Sequence, residues 1–165
     1  MDFIDTHLHL IYRGELGYGW TAGIPALAEG DFTLEDYAGL AQGRGIAGAL
    51  FMEAGVDDGD FQAEARLIAG LVGRHGLLGQ IAACRPEDDA GFDAWLDECA
   101  GLHVKGFRRI LHVMPDEEKA HTDVPVTLRQ GQSVITGQGG IAIDNKSQIT
   151  VLLGPAAATI HRKPQ

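Results

Sequence analysis

Asp5, His7 and His9 stand at alternate positions of the run Phe3-Ile4-Asp5-Thr6-His7-Leu8-His9-Leu10. Successive side chains of a β-strand point to opposite faces, so this spacing sets one carboxylate and two imidazoles on one face. Ile4, Thr6, Leu8 and Leu10 then pack on the other. Histidine is the commonest metal ligand and the usual general acid or base near neutral pH. Two imidazoles at i and i+2 can meet one ion or one substrate, and Asp5 can orient either ring from behind. The plainer reading is a strand with two solvent-facing histidines.

A second set of candidates lies around residues 104 to 112. Gly106, Arg108 and His112 share a parity there, opposite to Lys105, Phe107 and Arg109. A guanidinium on the Gly106 face offers a planar fork for a substrate carboxylate, and the alternative is a buried ion pair with a neighbouring acid. Glu53 ends the apolar run 46 to 52, where a parallel α/β sheet presents functional residues; otherwise it simply begins a loop. Trp20 and Tyr18 sit in a glycine-rich stretch, residues 11 to 32, without helical or strand period. Long loops of this kind are usually functional, so Trp20 either lines a substrate pocket or pins the loop to the surface.

The elements that must position these groups alternate. Thr33 with Asp36 three residues on has the form of a capping box and opens a helix over 34 to 43, and 46 to 52 reads as a strand buried on both faces. Asp57, Asp58 and Asp60 read as a turn and N-cap. Phe61, Ala65, Ile68 and Val72 stripe a helix over 61 to 75, with His75 in its last turn. A strand over 77 to 84, a helix opening at Pro86 and striped by Phe92, Leu96 and Cys99, and a strand over 104 to 110 complete a βαβαβαβ order.

The Asp5-Thr6-His7-Leu8-His9 element and the segment Val104-Lys105-Gly106-Phe107-Arg108-Arg109-Ile110-Leu111-His112 together resemble the amidohydrolase superfamily. Within it they resemble the amidohydrolase-2 group of lactonase-like and decarboxylase-like (β/α)8 barrels. The resemblance covers residues 1 to 118. It implies an α/β fold, a partial (β/α)8 barrel of the first four βα units with parallel strands, followed by a short β-rich or irregular tail. It also implies hydrolysis of a lactone or related carbonyl compound of a small carboxylic or sugar acid, with decarboxylation of an aromatic acid as the alternative. By this resemblance His7 and His9 would be metal ligands or substrate contacts and Arg108 a carboxylate or carbonyl clamp; Asp5 joins the two histidines as a catalytic candidate, and His112, Trp20 and Glu53 join Arg108 as substrate-binding candidates. The cofactor would be a divalent metal, zinc or manganese, although some lactonases of the group work without one.

Complete barrels of this type need about 250 residues, and this chain has 165. Residues 119 to 165 match nothing in the resemblance: they contain no aromatic ring of Phe, Tyr or Trp, their charge turns from acidic to basic, and their apolar residues are mostly β-branched. They read as short strands, among them 134 to 136, 141 to 143 and 149 to 151, and as the product of a truncated or frame-shifted reading, a fusion or a divergent closing domain. The group's later-strand histidines and its eighth-strand Asp have no counterpart, so the chain alone is expected to show little or no turnover. A catalytically silent or partner-binding half-barrel is the competing reading.

The net charge of −10 excludes an electrostatic nucleic-acid footprint and leaves small molecules or proteins as partners. Open barrel edges invite pairing of two copies. No stretch approaches the roughly 18 apolar residues of a membrane helix, and Cys84 and Cys99 lack metal-knuckle or redox spacing. A cytoplasmic protein with reduced core cysteines is expected.

Overall fold

In the computed structural model the described residues are 2–85 and 90–110, together with the backbone of 127–130, 133–136 and 148–152. Four strands, β1 (Phe3–Leu8), β2 (Ile46–Met52), β3 (Leu77–Ala83) and β4 (Val104–Ile110), lie side by side in chain order. Every neighbouring pair among them is parallel. Helices α1 (Leu34–Ala41), α2 (Phe61–Ala69) and α3 (Phe92–Cys99) fill the connections, which is the first half of a (β/α)8 barrel.

Alternation along the strands separates two faces. Leu8, Leu10, Ala49, Phe51 and Leu77 are buried with Leu34 and Tyr37 of α1 and Ile68 of α2. Ala82, Cys84 and Phe107 are buried with Ala65 of α2 and with Phe92, Trp95 and Cys99 of α3. Phe107 therefore faces the helix layer, and its neighbour Arg108 faces the other way. Cys84 and Cys99 are buried.

β2 and β4 form over the residues expected. The helices are shorter than their stripes: α2 stops at Ala69, and residues 71 to 76 make turns in which Gly73 and Gly76 take positive φ and His75 does too. Val72 and His75 are thus outside the helix. The acids before α2 form the expected turn, a 3-10 turn over Asp58–Asp60 with Asp60 at the N-cap position of α2, but no side chain bonds the helix N-terminus. Asp60 accepts the Gly17 N–H at 2.8 Å and Asp57 accepts the Gly19 N–H at 2.9 Å, while Asp58 pairs with Arg85. Asp57 and Asp60 anchor the long loop to the segment after β2. The loop itself winds into two short 3-10 turns, Gly19–Gly23 and Pro25–Leu27, and closes through an Ile11–Phe32 bridge.

Ile4 and Thr6 do not pack as expected. Phe3, Ile4 and Thr6 remain exposed at the sheet edge. At the opposite edge β7 (Gln148–Leu152) pairs antiparallel with β4, and β5 (Thr127–Gln130) with β6 (Ser133–Thr136) makes a separate hairpin. One of the two edges expected to be open is therefore covered. The strand expected over 141 to 143 lies outside the described residues. Among the described residues no helix is long and apolar enough to cross a membrane.

The β3–β4 pairing sets the register of Arg108, and it depends on a close backbone approach at Gly79. A Cβ there would lie 2.8 Å from the His103 carbonyl oxygen. Gly79→Ala is expected to destabilise the fold by about 1–3 kcal/mol in urea unfolding, the usual cost of forcing atoms into a packed interior. Unchanged stability would mean that β3 and β4 are not seated as described.

Candidate active site at the strand ends

The two histidines meet. The Nε2 atoms of His7 and His9 lie 3.1 Å apart, with the rings edge to face. An extra residue in β1 between Asp5 and Leu8, set against β2, forms a bulge at this point, and the Asp5 carboxylate supports it by accepting the His7 backbone N–H at 3.0 Å. Bulges of this kind re-aim side chains. The other Asp5 oxygen accepts the Tyr37 hydroxyl at 3.0 Å, so Asp5 braces β1 against α1 and touches neither imidazole ring in these bonds. Burial and this bond to Asp5 push the Tyr37 hydroxyl up to about 12.

His9 is oriented instead by a backbone group. Its Nδ1 lies 2.9 Å from the Met52 carbonyl oxygen, which can only accept, so Nδ1 carries the hydrogen. Burial holds the His9 pKa below the usual imidazole value, with the positive charge of Arg108 acting in the same direction. Neutral His9 then has a bare Nε2, and the short contact requires His7 to donate from its own Nε2. His7 is exposed, and its Nδ1 is the ring nitrogen left outside this contact.

Arg108 and Glu53 form the buried part of the site, 4% and 2% exposed. The Arg108 guanidinium donates from Nε to Glu53 Oε1 and from a terminal nitrogen to the Glu53 carbonyl oxygen at 3.0 Å. The second Glu53 oxygen accepts the Gly55 N–H at 2.8 Å. Of the two alternatives for Arg108, the structure displays the ion pair. Trp20 likewise pins its loop: the indole N–H donates to the Ala54 carbonyl at 3.1 Å, while the ring stays 49% exposed over Gly55 beside Ile110. His112 lies outside the described residues.

One residue at the site was not anticipated. Glu64 of α2 is fully buried, accepts the Ala54 N–H at 3.0 Å, and its carboxyl is pushed up to about 8, first by burial and then by the Glu53 charge, against the pull of the Ala54 N–H. The signal was present in the chain: Phe61, Glu64, Ala65 and Ile68 occupy one helical stripe, and an acid within such a stripe has to be buried.

His7 and His9 supply two donors, one short of the three protein ligands usual at catalytic zinc. No group of three or more His, Cys, Asp or Glu side chains among the described residues can hold a metal ion. Among the described residues the donors fall one short of a catalytic zinc set.

No protein-family model matches the sequence, and no curated protein matches it. Among solved structures the chain is similar to Amidohydrolase 2 from Bifidobacterium longum subsp. infantis, with 24% identity and a TM-score of 0.44 over 52% of this chain. The chain spans 33% of that protein's length. At that level the likeness carries no argument of its own, and the fold assignment rests on the strand pairing.

Two titrations follow from this geometry. His9 is expected to titrate below 6.5 and to show the Nδ1–H tautomer in long-range 1H–15N spectra; a midpoint above 6.5 contradicts the burial. Its contribution to stability is present above pH 6.5 and is lost as the pH falls, because the unfolded chain protonates first. Glu64 acts in the opposite sense. Between about 4.5 and about 8 the folded state holds a proton that the unfolded state has released, so stability falls as pH rises through that window. One proton gives a slope of at most ~1.4 kcal/mol per pH unit. The difference between wild type and Glu64→Gln in urea unfolding should carry that slope, and a flat difference would refute it.

Proposed function

We propose that the strand-end cluster is the remnant of a hydrolase site of amidohydrolase type, acting slowly on a lactone or related carbonyl compound of a small carboxylic or sugar acid. The observation that carries this reading is the His7–His9 pair, with one ring neutral and fixed and the other exposed. In lactone opening a water oxygen attacks the carbonyl carbon, the bond from that carbon to the ring oxygen breaks, and the product is a hydroxy acid. His7 takes the proton from water at its free nitrogen and returns it to the departing alkoxide, while His9 holds the ring through the Nε2 contact. A zinc or manganese ion belongs to the proposal only with a further donor from outside the described residues.

The oxyanion side is the weak part. Arg108, the residue expected to clamp the carbonyl or carboxylate, is committed to Glu53 and shut from solvent. Donors aimed at a developing oxyanion usually supply the largest share of acceleration, so slow turnover is the consequence. This same commitment favours a second reading, a silent half-barrel that binds a partner, including a second copy along the exposed β1 edge.

A panel of sugar-acid lactones and aromatic acids, assayed with and without zinc or manganese, tests the proposal. Slow lactone hydrolysis is expected, reduced about 10²–10⁴-fold in His7→Ala, the usual contribution of a positioned base. Turnover indifferent to His7→Ala would remove the histidine mechanism. No turnover above the buffer rate would leave the binding reading, and carbon dioxide release from an aromatic acid would move the activity to decarboxylation.

A further inference from the structure

The turn Glu53-Ala54-Gly55 after β2 carries more of the site than any other three residues. Glu53 supplies both its side chain and its carbonyl to Arg108, Ala54 supplies its carbonyl to the Trp20 indole, and Gly55 returns its N–H to the Glu53 carboxylate. Gly55 needs its positive φ of 66° for this path, a conformation that glycine takes without strain. The remaining hydrogen-bonding group of Ala54, its N–H, points to the helix layer, where Glu64 accepts it.

We propose that Glu64 is the positioning residue of the site: its carboxyl, reaching from α2 to the Ala54 N–H, holds the turn that keeps Glu53 on Arg108 and Trp20 over the mouth. The proposal rests on the reading of the strand-end cluster as the reacting site only in calling this turn functional. The turn's geometry stands apart from any substrate.

The groups facing Glu64 come from four directions. Glu53 lies at the end of β2, Arg108 on β4, Arg85 after β3, and Tyr18 in the long loop. A carboxyl among them is a proton store, neutral around pH 7 because burial pushes it up to about 8. The neutral acid still accepts the Ala54 N–H through its carbonyl oxygen. Ionised, it becomes a second carboxylate competing with Glu53 for Arg108, and the turn responds.

Trp20 reports the state of the turn. Trp95 is buried, so acrylamide quenching of tryptophan emission reads Trp20. Glu64→Leu removes the acceptor and is expected to raise the quenching constant by up to about twofold, the ratio of full exposure to the present 49%. Glu64→Gln keeps an acceptor for Ala54 and should restore the wild-type constant at pH 7. Wild type should also show a step in Trp20 emission with a midpoint of about 8 that Glu64→Gln lacks.

A folded Glu64→Leu protein with wild-type quenching, or a step at the same pH in Glu64→Gln, would overturn the proposal. If Glu64→Leu does not fold, the comparison of wild type with Glu64→Gln decides alone. These measurements use no substrate, so absent lactone turnover leaves this proposal standing, and unchanged quenching leaves the hydrolase reading standing.

Discussion

The Arg108–Glu53 pair is the constraint on which the strand ends depend. It spans β2 and β4 across β3, and both partners are almost wholly out of water. Desolvating two charges is costly, and the attraction offsets that cost only when geometry is good and the leftover polar atoms are satisfied. Here they are: Glu53 bonds to Gly55 through its second oxygen, and its carbonyl takes a further guanidinium hydrogen. The Met52 carbonyl, one residue earlier, orients His9, so the charged pair and the imidazole pair share one strand end.

Much of this was readable in the chain, and the reasons are local. A continuous apolar run after Gly45 defines β2 over the same residues in sequence and structure, because a strand buried on both faces needs that composition, and β4 also forms over the residues expected. Parity placed Arg108 opposite Phe107, and the ring of Phe107 in the helix layer agrees. The overlong α2 shows the limit of periodicity: Val72 continues the stripe, but Gly70 and Gly73 end the helix first. Backbone partners were the least legible part. The acceptor for His9 is a carbonyl of Met52 and the donor for Glu64 is an N–H of Ala54, and backbone groups carry no residue identity to read. The partners of the Asp57 and Asp60 carboxylates, the backbone N–H groups of Gly19 and Gly17, are hidden from the sequence for the same reason.

The sheet's two edges differ in a way that composition alone hid. The acidic half of the chain ends near β4, yet a β-branched strand from the basic tail, β7, pairs along its outer side. Parallel strands meeting an antiparallel closing strand is a common way to finish an open sheet. β1 has no such cover among the described residues, and Phe3 and Ile4 are exposed along it.

The central claim is that Glu53 and Arg108 act as one unit, and a double-mutant cycle measures it most directly. Urea unfolding would be followed for Glu53→Gln, Arg108→Met and the double variant, at a pH where Glu64 keeps its proton. Each single change leaves a buried charge unpaired and is predicted to cost about 3–5 kcal/mol, with the double variant well short of the sum. Additive single costs, or single costs within about 0.5 kcal/mol of zero as at an ordinary surface site, would contradict the account.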